Sequence, residues 1–317
     1  MKLPFFRRRQ DDQPEPKKRS IGRRIWRFAW KSVMWFFIIT ISWVILYRWV
    51  NPPVTMLQVQ QWFACDEGCT FHKEWVDIED ISLNMRLAVV ASEDNNFMKH
   101  NGIDWGAVEK ARKYNETIGA KKGKKRGAST ITMQTAKNVF LWPSRNFIRK
   151  GLEVYFTYLI EFFWSKDRIM EVYLNVIETG VAKFGVEAAA QDYFGTTAAK
   201  LTRAQAALIA GALPNPRKFN PGKPSKYLAG RRDKIVHVMN MIGNSYFERY
   251  GSDVPGEVRE KEERQLEEKL KTLKEEDLPV VLEDDNTTNT AEPSPEKTQE
   301  PEQIESDPAP ADSTSGG

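Results

Sequence analysis

Hydrophobic positions in this chain recur mainly at three- and four-residue spacing, and strand-like alternation is nearly absent, so the pattern predicts a mainly α-helical protein. The longest stripe is Leu152, Tyr155, Phe156, Leu159, Ile160 and Phe163, on a helix that Ser144 is placed to cap. Shorter stripes predict helices over residues 78–91, 167–176, 185–194 and 226–242. Asp104 can cap a helix through Trp105, Val108 and Ala111, and Thr202 to Gln205 reads as a capping box. That box opens a helix running to Leu213, which Pro214-Asn215-Pro216 stops. Residues 54–63 fit either a short interfacial helix or a strand.

The ends differ from the middle, which the formal net charge of +4 conceals. Residues 1–31 carry eleven Lys or Arg against three acids, and residues 32–47 then contain no charge. Sixteen uncharged residues fall short of the roughly 20 a bilayer needs. Snorkelling by Arg27, Lys31 and Arg48, with Trp26, Trp30, Trp43, Tyr47 and Trp49 at the interfaces, extends the span. No small-residue cleavage site follows, which favours an uncleaved anchor over a removed signal peptide. So basic a flank also disfavours a buried core helix, and it places the N-terminus in the cytoplasm with everything after Asn51 outside it.

The segments follow. Residues 1–31 are a basic cytoplasmic segment, 32–50 a transmembrane helix, 51–74 a linker with a cysteine loop, and 75–250 the folded domain. Residues 251–282 form a charged helix and 283–317 an acidic tail whose Pro, Ser, Thr and Glu content predicts disorder. There is no internal repeat. Cys65 and Cys69, the only cysteines, follow the anchor, and in an oxidising compartment a local disulfide without catalytic duty is the leading reading. A zinc site using His72 is the weaker alternative, since one loop would supply three ligands.

Candidate chemistry begins at Ala88 to Gly102, AVVASEDNNFMKHNG, where an apolar run leads into Glu93 and Asp94. Such a run can push a carboxylate toward a cleft, where partial desolvation raises its pKa into the range useful for proton transfer. Read alone, the stretch favours a helix end with surface acids. Residues 115–126 hold glycines and five basic residues and read as a mobile loop, solvated or facing anionic head groups. Ser129 or Thr130 can cap the next helix, on which Thr130, Gln134 and Lys137 share a face. Farther on, Arg145, Arg149 and Glu153 recur every fourth residue, with Lys150 alongside. Arg145 in a first turn opposes the helix dipole at a cost of about 0.3–1 kcal/mol, which a phosphate bound there would reverse. An exposed helix with an Arg149–Glu153 pair worth about 0.2–0.5 kcal/mol fits that segment as well. Asn175 and Glu178 fit a functional or a turn role, and Ser294 to Lys297 matches the serine-acylase pattern S-x-x-K only by coincidence, with no domain around it.

Taken together the motifs resemble the peptidoglycan glycosyltransferase (transglycosylase) family, in particular its monofunctional membrane-anchored branch. The resemblance rests on four motifs in order. They are Glu93-Asp94-x-x-Phe97-x-x-His100-x-Gly102, Gly127-x-Ser129-Thr130-Ile131-x-x-Gln134-x-x-Lys137-Asn138, Arg149-Lys150-x-x-Glu153, and Glu171-x-Tyr173-Leu174-Asn175 with Gly180. It extends from about Trp75 to Tyr250 and includes the run from Phe184 to Pro216. Met133 replaces the first Gln of the family's usual pair, and the cysteine loop and acidic tail lie outside the pattern.

The resemblance implies a lysozyme-like domain of two lobes with a long cleft near the membrane. It implies inverting polymerisation of lipid II, a disaccharide-peptide on polyprenyl pyrophosphate, for cell wall synthesis. Glu93 would deprotonate the acceptor hydroxyl. Lys137, Arg145, Arg149 and Lys150 would surround the donor pyrophosphate, while Ser129, Thr130 and Gln134 bind substrate. Glu153, the second catalytic carboxylate, would orient the cations, position the donor or hold a divalent ion. Residues 139–142 with Phe147 and Ile148 would dip into the membrane. Partners would be lipid II, the growing strand, membrane lipids and other cell-wall proteins, not nucleic acid. No cofactor is required; a divalent cation (Mg or Mn) suits a pyrophosphate donor. Two rivals stay open, a muramidase or lytic transglycosylase, which also uses two carboxylates, and a non-catalytic membrane-anchored scaffold.

Overall fold

The computed structural model describes residues 21–64, 71–123, 125–142, 144 and 146–250, together with positions 261, 264, 265 and 268. The acidic tail, most of the charged helix, Cys65, Cys69 and Arg145 lie outside the described residues. The chain opens with α1 (Ile21–Leu46), which starts ahead of the uncharged run because Arg23, Arg24, Arg27 and Lys31 are good helix formers with no breaker among them. Its 26 residues span about 39 Å, enough for about 30 Å of hydrocarbon. Residues 47–49 are a turn rather than a continuation of the helix.

The C-terminal half of α1 is part of the folded domain. Val44 is fully buried, its carbonyl accepts from the Trp164 indole at 2.8 Å, and Thr40 Oγ1 lies 2.8 Å from the Tyr155 hydroxyl. Arg168 donates to the carbonyls of Tyr47 and Val50, just past the end of α1. Burial lowers the Arg168 pKa, opposed by Glu171, to which it donates at 2.5 Å.

Next comes α2 (Met56–Ala64), a helix rather than a strand, then β1 (His72–Lys73). The stripe over residues 78–91 divides into a 3₁₀ turn at Ile78–Asp80 and α3 (Leu83–Glu93). The division falls at Ser82, whose hydroxyl caps α3 by accepting from the Met85 amide. As expected, Asp104 caps α4 (Trp105–Tyr114). The glycine- and lysine-rich segment is mostly helical, contrary to the loop expectation: a π-helical turn (Asn115–Gly119) leads into α5 (Ala120–Lys122). Both amide atoms of Asn115 hydrogen-bond the Arg126 backbone, closing the excursion at its base.

The centre of the domain is α6 (Ile131–Phe140), capped by Thr130 and packed against α7 (Phe147–Phe163) and α8 (Lys166–Val176). Asn146, not Ser144, caps α7 by accepting from the Arg149 amide at 2.7 Å, so the helix starts later than its pattern suggests. A small sheet missed by the periodicity follows, because its strands are too short to alternate: β2 (Glu178–Gly180) and β3 (Lys183–Phe184) pair antiparallel, and β1 joins β3 in parallel. The remaining elements are α9 (Val186–Phe194), a 3₁₀ turn (Ala198–Lys200), α10 (Arg203–Ala212) behind the predicted capping box, α11 (Lys226–Ile242) and a short α12 (Tyr246–Arg249). Helices α10 and α11 both pack on α3, which places the apolar run before Glu93 at the centre of the core.

Asn175 is fully buried, and its amide exchanges two hydrogen bonds with the Val76 backbone, so it tethers the chain entering the domain. Glu178 pairs with Arg217. Gly102 has a φ of +90°, and a Cβ there would lie 2.6 Å from Thr157 Cγ2 on α7. Gly102→Ala is expected to destabilise the protein by about 2–4 kcal/mol through strain and overpacking. Gly151→Ala, whose Cβ would meet nothing within 4 Å on α7, is expected to gain about 0.5–1 kcal/mol. Chemical denaturation of the detergent-solubilised chain measures both.

Candidate active site

Glu93 is the last residue of α3 and only 8% exposed. Hydrogen bonds hold its carboxylate at both oxygens. The Ser92 hydroxyl donates to Oε1 at 3.1 Å and the Gln134 amide donates to Oε2 at 3.0 Å. Gln134 is itself oriented by the Tyr173 hydroxyl, which donates to its Oε1 at 3.3 Å. This chain of bonds links three helices, α3, α6 and α8.

The rest of the first motif positions that carboxylate. Asp94 Oδ2 accepts from the Ile131 amide at 3.1 Å, at the N-terminus of α6, where a negative charge is favoured. His100 Nε2 lies 3.0 Å from both Asp94 oxygens, while its Nδ1 accepts from the Gly102 amide at 3.1 Å. The second contact assigns the proton to Nε2. Lys166 donates to the His100 carbonyl and to Glu161, and lies 4.6 Å from the centre of the Phe97 ring. The Tyr246 hydroxyl donates to the Asn95 carbonyl and accepts from the Met98 amide; burial raises its pKa. Every turn of Asn95 to Gly102 is therefore anchored to another element.

Thr130 is buried, and its hydroxyl both accepts from the Met133 amide and donates to the Gly102 carbonyl at 2.5 Å. These two bonds make it the cap of α6 and tie that helix to Gly102. Ser129 is partly exposed just ahead of the cap. Half-buried Lys137 lies three residues beyond Gln134, about 4.5 Å farther along α6.

On α7, Glu153 is 3% exposed and accepts from two cations, Arg149 at 3.0 Å and Lys150 at 2.7 Å. Arg149 is largely buried and Lys150 half exposed. The pairing puts two positive groups beside one buried carboxylate on the helix packed against α6. Residues 139–141 do not face a membrane as expected: Val139, Phe140 and Leu141 are core residues, and the Phe140 ring stacks on Phe156 at 4.7 Å. Exposure resumes at Trp142 and is nearly complete at Phe147, 96% exposed, with Ile148, Tyr158 and Phe162 also outward on α7.

The sequence reading placed Tyr173 in the fourth motif without a role, and it missed Ser92 and Arg231, whose Nη2 donates to Ser92 Oγ at 3.3 Å. A signal for Arg231 was present. It stands in the apolar stripe Leu228, Ile235, Val238 and Ile242, where a cation needs a reason.

Two buried carboxylates thus stand on separate helices, Glu93 tied to α6 and Glu153 on the helix packed against it with two cations fixed on it, an arrangement that suits a carbohydrate-active enzyme working on glycosidic bonds. The family model described as Transglycosylase matches residues 64–240. A biosynthetic peptidoglycan transglycosylase of Bacteroides thetaiotaomicron is 51% identical over 224 residues, covering 69% of this chain and 88% of the relative. One from Bdellovibrio bacteriovorus is 50% identical over 222 residues (69% and 87%), and one from Caulobacter vibrioides 47% over 220 (68% and 93%). The chain belongs to the transglycosylase family.

Replacing Gln134 with Ala removes one support of Glu93 and is expected to lower kcat about tenfold, the rate equivalent of one hydrogen bond to a charged group. Glu153→Gln leaves Arg149 and Lys150 facing a neutral amide. It is expected to cost about 2–4 kcal/mol of stability, less than for a fully buried pair because Lys150 is half exposed. Steady-state kinetics and denaturant titration check the two.

Proposed function

We propose that this protein polymerises lipid II into linear glycan strands, releasing polyprenyl pyrophosphate, at the outer face of the cytoplasmic membrane. The observation that carries this reading is the junction at α6. One helix tethers Glu93 through Gln134, presents Lys137 a turn later, and packs on the helix holding Arg149, Lys150 and Glu153.

In the proposed reaction, Glu93 takes the proton of the acceptor 4-hydroxyl as that oxygen bonds to the donor anomeric carbon. The carbon–phosphate-oxygen bond breaks with inversion, and the pyrophosphate leaves with the electron pair. Lys137, Arg149 and Lys150 stabilise the charge that develops on it through charge-assisted contacts. Glu153 orients Arg149 and Lys150, the first of the three roles open to it. Ser129 is a substrate contact at the rim. A cleaving enzyme has no pyrophosphate to stabilise, so the two cations on Glu153 favour synthesis over muramidase chemistry.

Both Glu153 oxygens already accept from cations, and among the described residues no group of three or more His, Cys, Asp or Glu could hold a metal ion. No step is routed through one. The membrane reading rests on α1, long and apolar enough to span, with a basic flank that orients its N-terminus to the cytoplasm. The outward side chains of Phe147, Ile148, Tyr158 and Phe162 suit the same lipid surface. Other cell-wall synthesis proteins are proposed partners of the charged C-terminal segments.

The full-length protein in detergent, given lipid II, is expected to form long glycan strands and to leave finished glycan intact. Glu93→Gln should reduce the rate roughly 10²–10⁴-fold, the usual contribution of a general base. Breakdown of finished glycan would support the lytic rival, and an unchanged rate in Glu93→Gln would remove Glu93 from the mechanism.

A further inference from the structure

We propose that Arg231 is a positioning residue for Glu93 and works through the Ser92 hydroxyl. The proposal rests on the reading of Glu93 as the base. Arg231 lies on α11, 6% exposed, at a stripe position that an aliphatic side chain would fill without desolvating a charge. Its side chain crosses toward α3 alongside Gly211 of α10, where a Cβ would come within 3.6 Å of Arg231 Cγ and 3.2 Å of Leu228 Cδ1.

Three contacts meet at Ser92 Oγ. Arg231 Nη2 donates to it at 3.3 Å, Glu93 Oε1 lies at 3.1 Å, and the Ala210 carbonyl lies at 3.3 Å. A serine hydroxyl has a single proton and two lone pairs. Because the guanidinium can only donate, it takes a lone pair and leaves the hydroxyl proton to either Glu93 or the Ala210 carbonyl. An ionised carboxylate wins that competition, because the bond to it is charge-assisted. Once Glu93 has accepted the proton of the sugar hydroxyl, the Ala210 carbonyl becomes the better acceptor and the Ser92 O–H rotates to it. No covalent bond changes at Ser92 or Arg231; one hydrogen bond follows the charge of the base.

Arg231 thus keeps the Ser92 proton available on the Glu93 side, as Gln134 fixes the other carboxylate oxygen. The carboxylate plane is defined from α11 through Ser92 and from α6 through Gln134. A purely architectural arginine would tie α11 to α3 with no preference for the charge state of Glu93.

The test uses the full-length protein in detergent with lipid II as substrate, and compares Ser92→Ala, Arg231→Met, Arg231→Lys and the Ser92→Ala/Arg231→Met double variant. The thermal midpoint of each is measured alongside kcat and KM. Ser92→Ala and Arg231→Met are each expected to lower kcat about tenfold, with KM for lipid II within about twofold of the parent. The double variant should be no slower than the slower single one, since both remove the same bond relay. Arg231→Lys should recover part of the kcat lost in Arg231→Met.

Losses that multiply in the double variant would overturn the proposal, as would a loss confined to thermal stability. Should Arg231→Met fail to fold, Ser92→Ala decides alone: unchanged kcat overturns the relay, and a drop in kcat at constant KM supports it. The underlying reading fails separately, if Glu93→Gln polymerises lipid II at the parental rate.

Discussion

The N-terminus of α6 is the interaction on which the rest of the site depends. Its first amide points at Asp94, and its capping threonine is bound to the Gly102 carbonyl, so the first motif and α6 form one rigid unit. A carboxylate at a helix N-terminus meets both the dipole and an orphan N–H, which makes the contact directional as well as favourable. Once that end is placed, helical geometry carries Gln134 to Glu93 and Lys137 one turn beyond. Move the N-terminus by a residue and Gln134 would turn away from Glu93.

Around this joint, nearly every polar side chain supports another. Tyr173 orients Gln134, His100 holds Asp94, and Lys166 ties the motif loop to the end of α7. Buried polar groups carry a large penalty when unsatisfied, so a network of this kind tolerates few arrangements. The constraint explains why much of the motif is engaged in bonds to neighbouring elements. Thr130, Asp94 and His100 hold the position of Glu93. Helix α1 joins the same framework: Trp164 at the end of α7 donates to the Val44 carbonyl near its C-terminus, and Arg168 of α8 donates to the carbonyls of Tyr47 and Val50 just beyond it.

Most helices were legible because their stripes are strongly periodic and their caps conventional, as at Asp104, Thr202 and residues 226–242. Boundaries failed where two polar residues competed for one role. Ser144 and Asn146 both suit a cap, and only the packing of α7 selects Asn146. The basic segment at residues 115–126 misled because its composition is that of a solvated loop, while Asn115 closes it into helical turns. Residues 139–141 were read as membrane-facing because an apolar run looks the same against lipid or protein. Ser92 went unnoticed and Arg231 stood out only as a cation in an apolar stripe, because what they contact lies more than a hundred residues away along the chain.

By itself, the sequence determined the helical class, the apolar run with its basic flank and the order of the four motifs. These are properties of spacing and residue type, and local physics reads them directly. Only the tertiary structure decided which motif residues hold others in place, that the end of α1 packs into the domain, and that a buried arginine contacts the serine beside Glu93. Those features depend on which surfaces meet when helices pack, and the free energy that selects them is shared among residues far apart in the chain.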